Sequence, residues 1–232
     1  TKTSFANLLN MKDLTNVTKK RMFFSKFKDI HFDSGSNDFA FTFDYKDFEG
    51  KGAVEMTQTE WTVWSNGNRI FYDSKKHSTE EINVSEKLKE LFETNKIDYR
   101  TGNNIFESIM EIGAELKEGE KPSKEIAGFW DSLLWNFKLI LQMRNSIPNS
   151  EIDYLISPVK ADDGTFFDSR VQKELGEESK LPIDADANGA YHIALKGLYL
   201  LKNDFNLNEK GYIENISNSE WFNFVQEKNY LN

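Results

Sequence analysis

With 232 residues, 38% of them hydrophobic, and only 13 Gly and 4 Pro, the chain can fill one large domain, or a domain plus part of another, and is not low-complexity or disordered. It has no Cys, which excludes disulfides and thiolate metal sites and suits a reducing cytoplasm, and no apolar run reaches the roughly 18 residues of a membrane span. A formal net charge of −9 argues against a free-standing nucleic-acid binder, which carries a basic patch and a high pI.

Thr1-Lys2-Thr3-Ser4-Phe5 holds neither a signal peptide nor a starting Met, so a piece of a larger protein is expected. Residues 5 to 30 read as loop and short helix, with Lys19-Lys20-Arg21 a solvated basic turn, or else a phosphate contact. Phe39, Phe41, Phe43 and Tyr45 then alternate with Ala40, Thr42 and Asp44, the period of two of a strand with one buried face. Trp61-Thr62-Val63-Trp64 and Arg69-Ile70-Phe71-Tyr72 flank Asn66-Gly67, which predicts a β-hairpin.

Three helices follow. The first starts at Ser85 as N-cap and carries Leu88, Leu91 and Phe92, and the second spans about Ile105 to Leu116. The third runs from Ser123 to Ser146, places Arg144 on its apolar stripe in the last turn, and is stopped by Pro148. Asp153 to Val159 reads as a strand, Asp162-Asp163-Gly164 as a turn, and Gln172 to Lys180 as a surface connection. Helices are expected from Asp184-Ala185-Asp186 to about Asn203 and from Ser217 to Tyr230. Strands first and helices later give an α+β fold.

Few residues offer chemistry. Asp184 or Asp186 can cap the following helix, or one of them can bind a divalent hard cation; Mg²⁺ needs carboxylates from several segments, and one Asp-x-Asp does not suffice. Arg144 can stabilise a helix C-terminus or face a phosphate as a bidentate cation. His31, His77 and His192 lack metal-ligand spacing, Ser157 lacks a nucleophile elbow, and no phosphate loop is present. The Phe39/Phe41 and Trp61/Trp64 groups can stack on bases, but aromatics at strand spacing are usually core.

Three strings in order carry a resemblance. They are Leu141-Gln142-Met143-Arg144-Asn145-Ser146; then Asp153-Tyr154-Leu155-Ile156-Ser157-Pro158-Val159 with Phe167-Asp168-Ser169-Arg170; then Asp184-Ala185-Asp186-Ala187-Asn188-Gly189-Ala190-Tyr191-His192. Together they resemble the C-terminal region of the type V-A CRISPR effector nucleases, the Cas-twelve-a (formerly Cpf-one) family. The likeness is closest over residues 139 to 202. It implies a Nuc-like mixed strand and helix domain at 1–182 and the third segment of a RuvC, RNase-H-like domain at 183–232. It also implies that Asp186, and not Asp184, is the catalytic metal-binding carboxylate. Arg144 becomes a catalytic and DNA-binding residue, and Gln142, Ser146 and Asp153 become further DNA contacts. The implied reaction is Mg²⁺-dependent hydrolysis of DNA in antiviral defence, directed by a guide crRNA in the prokaryotic cytoplasm. The family's other RuvC carboxylates and its guide-binding lobes fall upstream, so this chain alone is expected to be inactive. The competing reading is a non-catalytic module that loads or binds nucleic acid.

Overall fold

A computed structural model describes residues 9, 11, 13–48, 60–117, 119–146, 153–160, 164–170, 185–202 and 224. The fold is α+β, as expected: among the described residues, five α-helices accompany eight strands in three small antiparallel sheets. Asp184, the Gln172–Lys180 connection and, apart from Phe224, the Ser217–Tyr230 segment lie outside the described residues.

Helix α1 (Val17–Phe24) starts where Asn16 Oδ1 accepts the Lys19 N–H at 2.9 Å, satisfying one of the free amides of the first turn. The basic stretch is therefore helical, not a solvated turn. Lys20 is buried and paired with Asp131, and Arg21 Nη2 donates to the Met110 carbonyl at 2.8 Å.

The first sheet joins β1 (Phe27–Asp33), β2 (Asp38–Asp44) and β3 (Glu60–Trp64) in that order. Strand β1 escapes a period-two reading because a bulge between Phe27 and Asp29 shifts its buried set to Phe27, Ile30 and Phe32. The alternation read in β2 holds for the phenylalanines, with Phe39, Phe41 and Phe43 fully buried and Thr42 and Asp44 half-buried, but Ala40 is fully buried as well. Tyr45 leaves the strand for a 3₁₀ turn, Tyr45–Phe48.

The hairpin expected at Asn66-Gly67 does not form. Gly67 has the anticipated positive φ of 66°, but β3 pairs with β2, while β4 (Asn68–Asp73) pairs with β5 (Ser78–Asn83) in a separate sheet. The β2–β3 bonding continues into the turn through Ser65 N–H to the Phe39 carbonyl at 3.0 Å. Both strands thus spend their pairing edges elsewhere.

Helix α2 (Val84–Thr94) is capped by Asn83, two residues before the expected Ser85. The Ser85 hydroxyl is drawn into a buried chain, donating to Asp38 Oδ1 at 2.7 Å and lying 2.6 Å from Ser65 Oγ. Helix α3 is shorter than expected, Phe106–Glu111, because the chain turns at Gly113 with φ of 74°. Helix α4 (Lys124–Ile140) starts at Ser123 as expected but stops well before Pro148. Its end is taken by other partners. The Arg69 Nε–H donates to the Leu139 carbonyl at 3.1 Å, and the Ile156 N–H to the Met143 carbonyl at 2.9 Å. Arg144 therefore begins a strand, β6 (Arg144–Ser146), and is not in the last turn of a helix. Strand β6 pairs with β7 (Asp153–Lys160), which pairs with β8 (Phe166–Asp168). Helix α5 spans Ala185–Lys202.

The core forms where α4 lies on the first sheet. Phe137 is fully buried, with ring centroids 5.1 Å from Phe27, 5.4 Å from Phe41 and 5.8 Å from Phe24. These separations suit edge-to-face aromatic attraction on top of area burial.

Candidate functional site

Side chains in a strand alternate between faces. On β6 this sends Arg144 and Ser146 to one side, exposed and half-buried, and Asn145 to the other, with no exposure. Backbone pairing of Arg144 with Leu155 and of Ser146 with Asp153 fixes the strand against β7.

The exposed side meets the start of α5. Arg144 Nη1 lies 2.9 Å from Asp186 Oδ1 and Nη2 lies 3.0 Å from Oδ2, a parallel two-bond fork. The Arg144 Nε–H donates to Ser146 Oγ at 2.9 Å, which turns the guanidinium plane toward α5. Asp186 sits in the first turn of its helix, where the exposed amide dipoles favour a negative charge. The pair is open to solvent, with the Asp186 side chain 75% exposed, so it adds at most about 1 kcal/mol of stability. What it supplies is an aimed cation beside an accessible carboxylate.

The remaining residues expected here are placed differently. The Gln142 Nε2–H₂ group turns into the protein, lying 3.0 Å from each of the Ile70 carbonyl, the Arg144 carbonyl and Asn145 Oδ1. Ser146 serves as the acceptor for Arg144. Asp153 pairs through its backbone with Ser146, and its side chain is outside what is described.

A second fork flanks the sheet. Arg170 Nε lies 3.1 Å from Asp168 Oδ1 and Nη2 lies 2.8 Å from Oδ2, while the guanidinium stacks 3.9 Å above the Tyr154 ring. Burial works to raise the Asp168 pKa, but hydrogen bonds and charge from Arg170 outweigh it and hold the carboxyl below its ordinary range. Behind the sheet, Arg69 is wholly buried and donates to the carbonyls of Leu139 and Asn66. Burial pushes its guanidinium down to about 10, so it remains a cation at neutral pH.

Divalent metal chemistry needs several carboxylates around one ion. Asp186 is a single ligand, and among the described residues no three His, Cys, Asp or Glu side chains come together to hold a metal. These residues do not make a metal site by themselves.

Comparison with protein families adds what geometry leaves open. The model of the NUC family, a nuclease domain, matches residues 1–171. The chain belongs to this family. The NUC match supports nucleic-acid cleavage as the chain's activity class, and it includes Arg144, Gln142, Ser146 and Asp153 while ending before Asp186. None of the described helices is long and apolar enough to cross a membrane.

Asn145 and Arg69 escape a reading of the sequence. A buried Asn becomes visible only once Arg144 to Ser146 is known to be a strand, because a helical reading gives Asn145 no distinct face. Arg69, in a segment expected to form half of a hairpin, carries no pattern that marks a buried cation.

Proposed function

We propose that this chain, within an intact RNA-guided effector of the Cas-twelve-a type, serves the Mg²⁺-dependent hydrolysis of DNA phosphodiester bonds. The observation that carries the reading is the Arg144–Asp186 fork. The two residues that the family resemblance names for chemistry lie 42 positions apart and meet at 2.9 and 3.0 Å.

In this reading residues 1–182 are the Nuc-like domain and 183–232 the third RuvC segment. Asp186 contributes one carboxylate to the Mg²⁺ site, and carboxylates from outside this chain complete it. The ion, when bound, supplies charge stabilisation at the phosphate. Arg144 keeps its charge at any physiological pH, and its fork fits two phosphate oxygens as well as it fits a carboxylate. It therefore binds and orients the scissile strand, exchanging Asp186 for phosphate as DNA enters. The −9 charge supports placing the guide crRNA and most of the target-DNA contacts on other parts of the larger protein.

The test uses the full-length protein with guide, target and Mg²⁺. Asp186→Ala and Arg144→Ala are each expected to lower the cleavage rate about 10²- to 10³-fold with guide binding unchanged. Undiminished cleavage by Asp186→Ala would overturn the reading. If Asp186→Ala left cleavage intact while Arg144→Ala abolished strand binding, the chain would instead be a non-catalytic loading module.

A further inference from the structure

We propose that Asn145 positions Arg144 for cleavage, through a buried rung of side-chain amides that fastens strand β6 to the edge of β4. The inference rests on the role proposed above for Arg144.

Among the described residues, strand β4 pairs with β5 on one edge only. On its other edge, both backbone groups of Ile70 are met by side chains. The Ile70 N–H donates to Asn145 Oδ1 at 3.0 Å, and the Ile70 carbonyl accepts from Gln142 Nε2 at 3.0 Å. Gln142 Nε2 is also 3.0 Å from Asn145 Oδ1, so the two amides together imitate the peptide of a neighbouring strand. Gln142 reaches on to the Arg144 carbonyl, again at 3.0 Å. Arg144 is thus held from its own backbone on one side and from the adjacent residue's buried side chain on the other.

Asn145 has no exposure, and its Oδ1 cannot trade places with Nδ2, because both of its partners are donors. The Nδ2 atom is itself buried without a hydrogen-bond partner among the described residues. An apolar residue would spare that cost, so packing alone does not account for the amide. The rung accounts for it: the residue before Arg144's hydroxyl acceptor must fix the strand's height and twist, so that a three-residue strand aims a long side chain at one place.

In the full-length nuclease, Asn145→Ala is expected to reduce the single-turnover cleavage rate between about 10- and 100-fold, with DNA affinity within about twofold of the parent. Asn145→Asp keeps the accepting oxygen but buries a charge. It is expected to melt below Asn145→Ala and yet cleave faster, a reversal that a purely structural role does not produce. Parent-like cleavage by Asn145→Ala, or rates across the series that follow melting temperature, would overturn the inference. Should Asn145→Asp fail to fold, Gln142→Ala decides: a slower rate at unchanged DNA affinity supports the rung, and an unchanged rate sinks it. Arg144→Ala measured alongside separates the two ideas. If it cleaves normally, the proposed function and the rung fall together, and if it is slow while Asn145→Ala is not, the rung alone falls.

Discussion

Asp168 and Arg170 illustrate how far single side chains were legible. Both stand in a string that resembles a known family, yet nothing in their spacing shows that the arginine folds back two residues onto the aspartate and lies on Tyr154. The arrangement has a pH signature. The folded pKa of Asp168 lies below its ordinary value of 3.8, so its contribution is fully present above that value and is lost as pH falls through the depressed one. Arg170→Ala leaves the burial cost without the compensating partner. Urea unfolding should find this variant less stable at neutral pH, with the gap closing as pH is lowered through and below 3.8. A gap independent of pH would mean that Arg170 acts through packing on Tyr154. Asp186 presents the opposite case: on spacing alone it competed with Asp184 and with a capping role, and family likeness singled it out. The fork to Arg144 is a long-range contact that no local pattern encodes.

Elements were read most securely where one face meets one core. The Phe alternation in β2 and the apolar stripe of α4 both describe burial, and both elements form close to where periodicity placed them. Ends and partners were not legible, since they depend on what a distant segment offers. Helix α4 stops where Arg69 and Ile156 supply competing hydrogen bonds, and the Asn66-Gly67 turn forms without its hairpin. That turn is tightly fitted. A methyl at Gly67 would stand 2.5 Å from Cδ1 of the buried Ile156, at a φ of 66°. Gly67→Ala should cost about 1–3 kcal/mol, read as a lower urea midpoint at unchanged slope. A neutral substitution would show that the loop relaxes freely.

Across the whole molecule, the aromatic composition becomes a single structural fact. Phe137 of α4 meets Phe23 and Phe24 of α1, Phe27 of β1, and Phe41 and Phe43 of β2, so one ring ties helices to sheet. Phe137→Ala should destabilise by about 3–5 kcal/mol, measured by chemical unfolding; a loss under about 1 kcal/mol would show that the cluster closes over the gap. Core placement of the aromatics at strand spacing was legible in the sequence, but not that, among the described residues, the three small sheets stay separate. Strand pairing is set by contacts among segments far apart in the chain, which period and propensity do not report.

An unpaired strand edge is an invitation to another chain. The free side of β4 is closed by chemistry that no other chain can easily copy: amides from Asn145 and Gln142 at Ile70, and the Tyr154 hydroxyl 3.4 Å from the Asn68 carbonyl. Side chains, unlike a backbone, cannot be replaced in register by an incoming strand of arbitrary sequence. The rung proposed to aim Arg144 therefore also occupies the backbone groups of Ile70 at which another strand would pair.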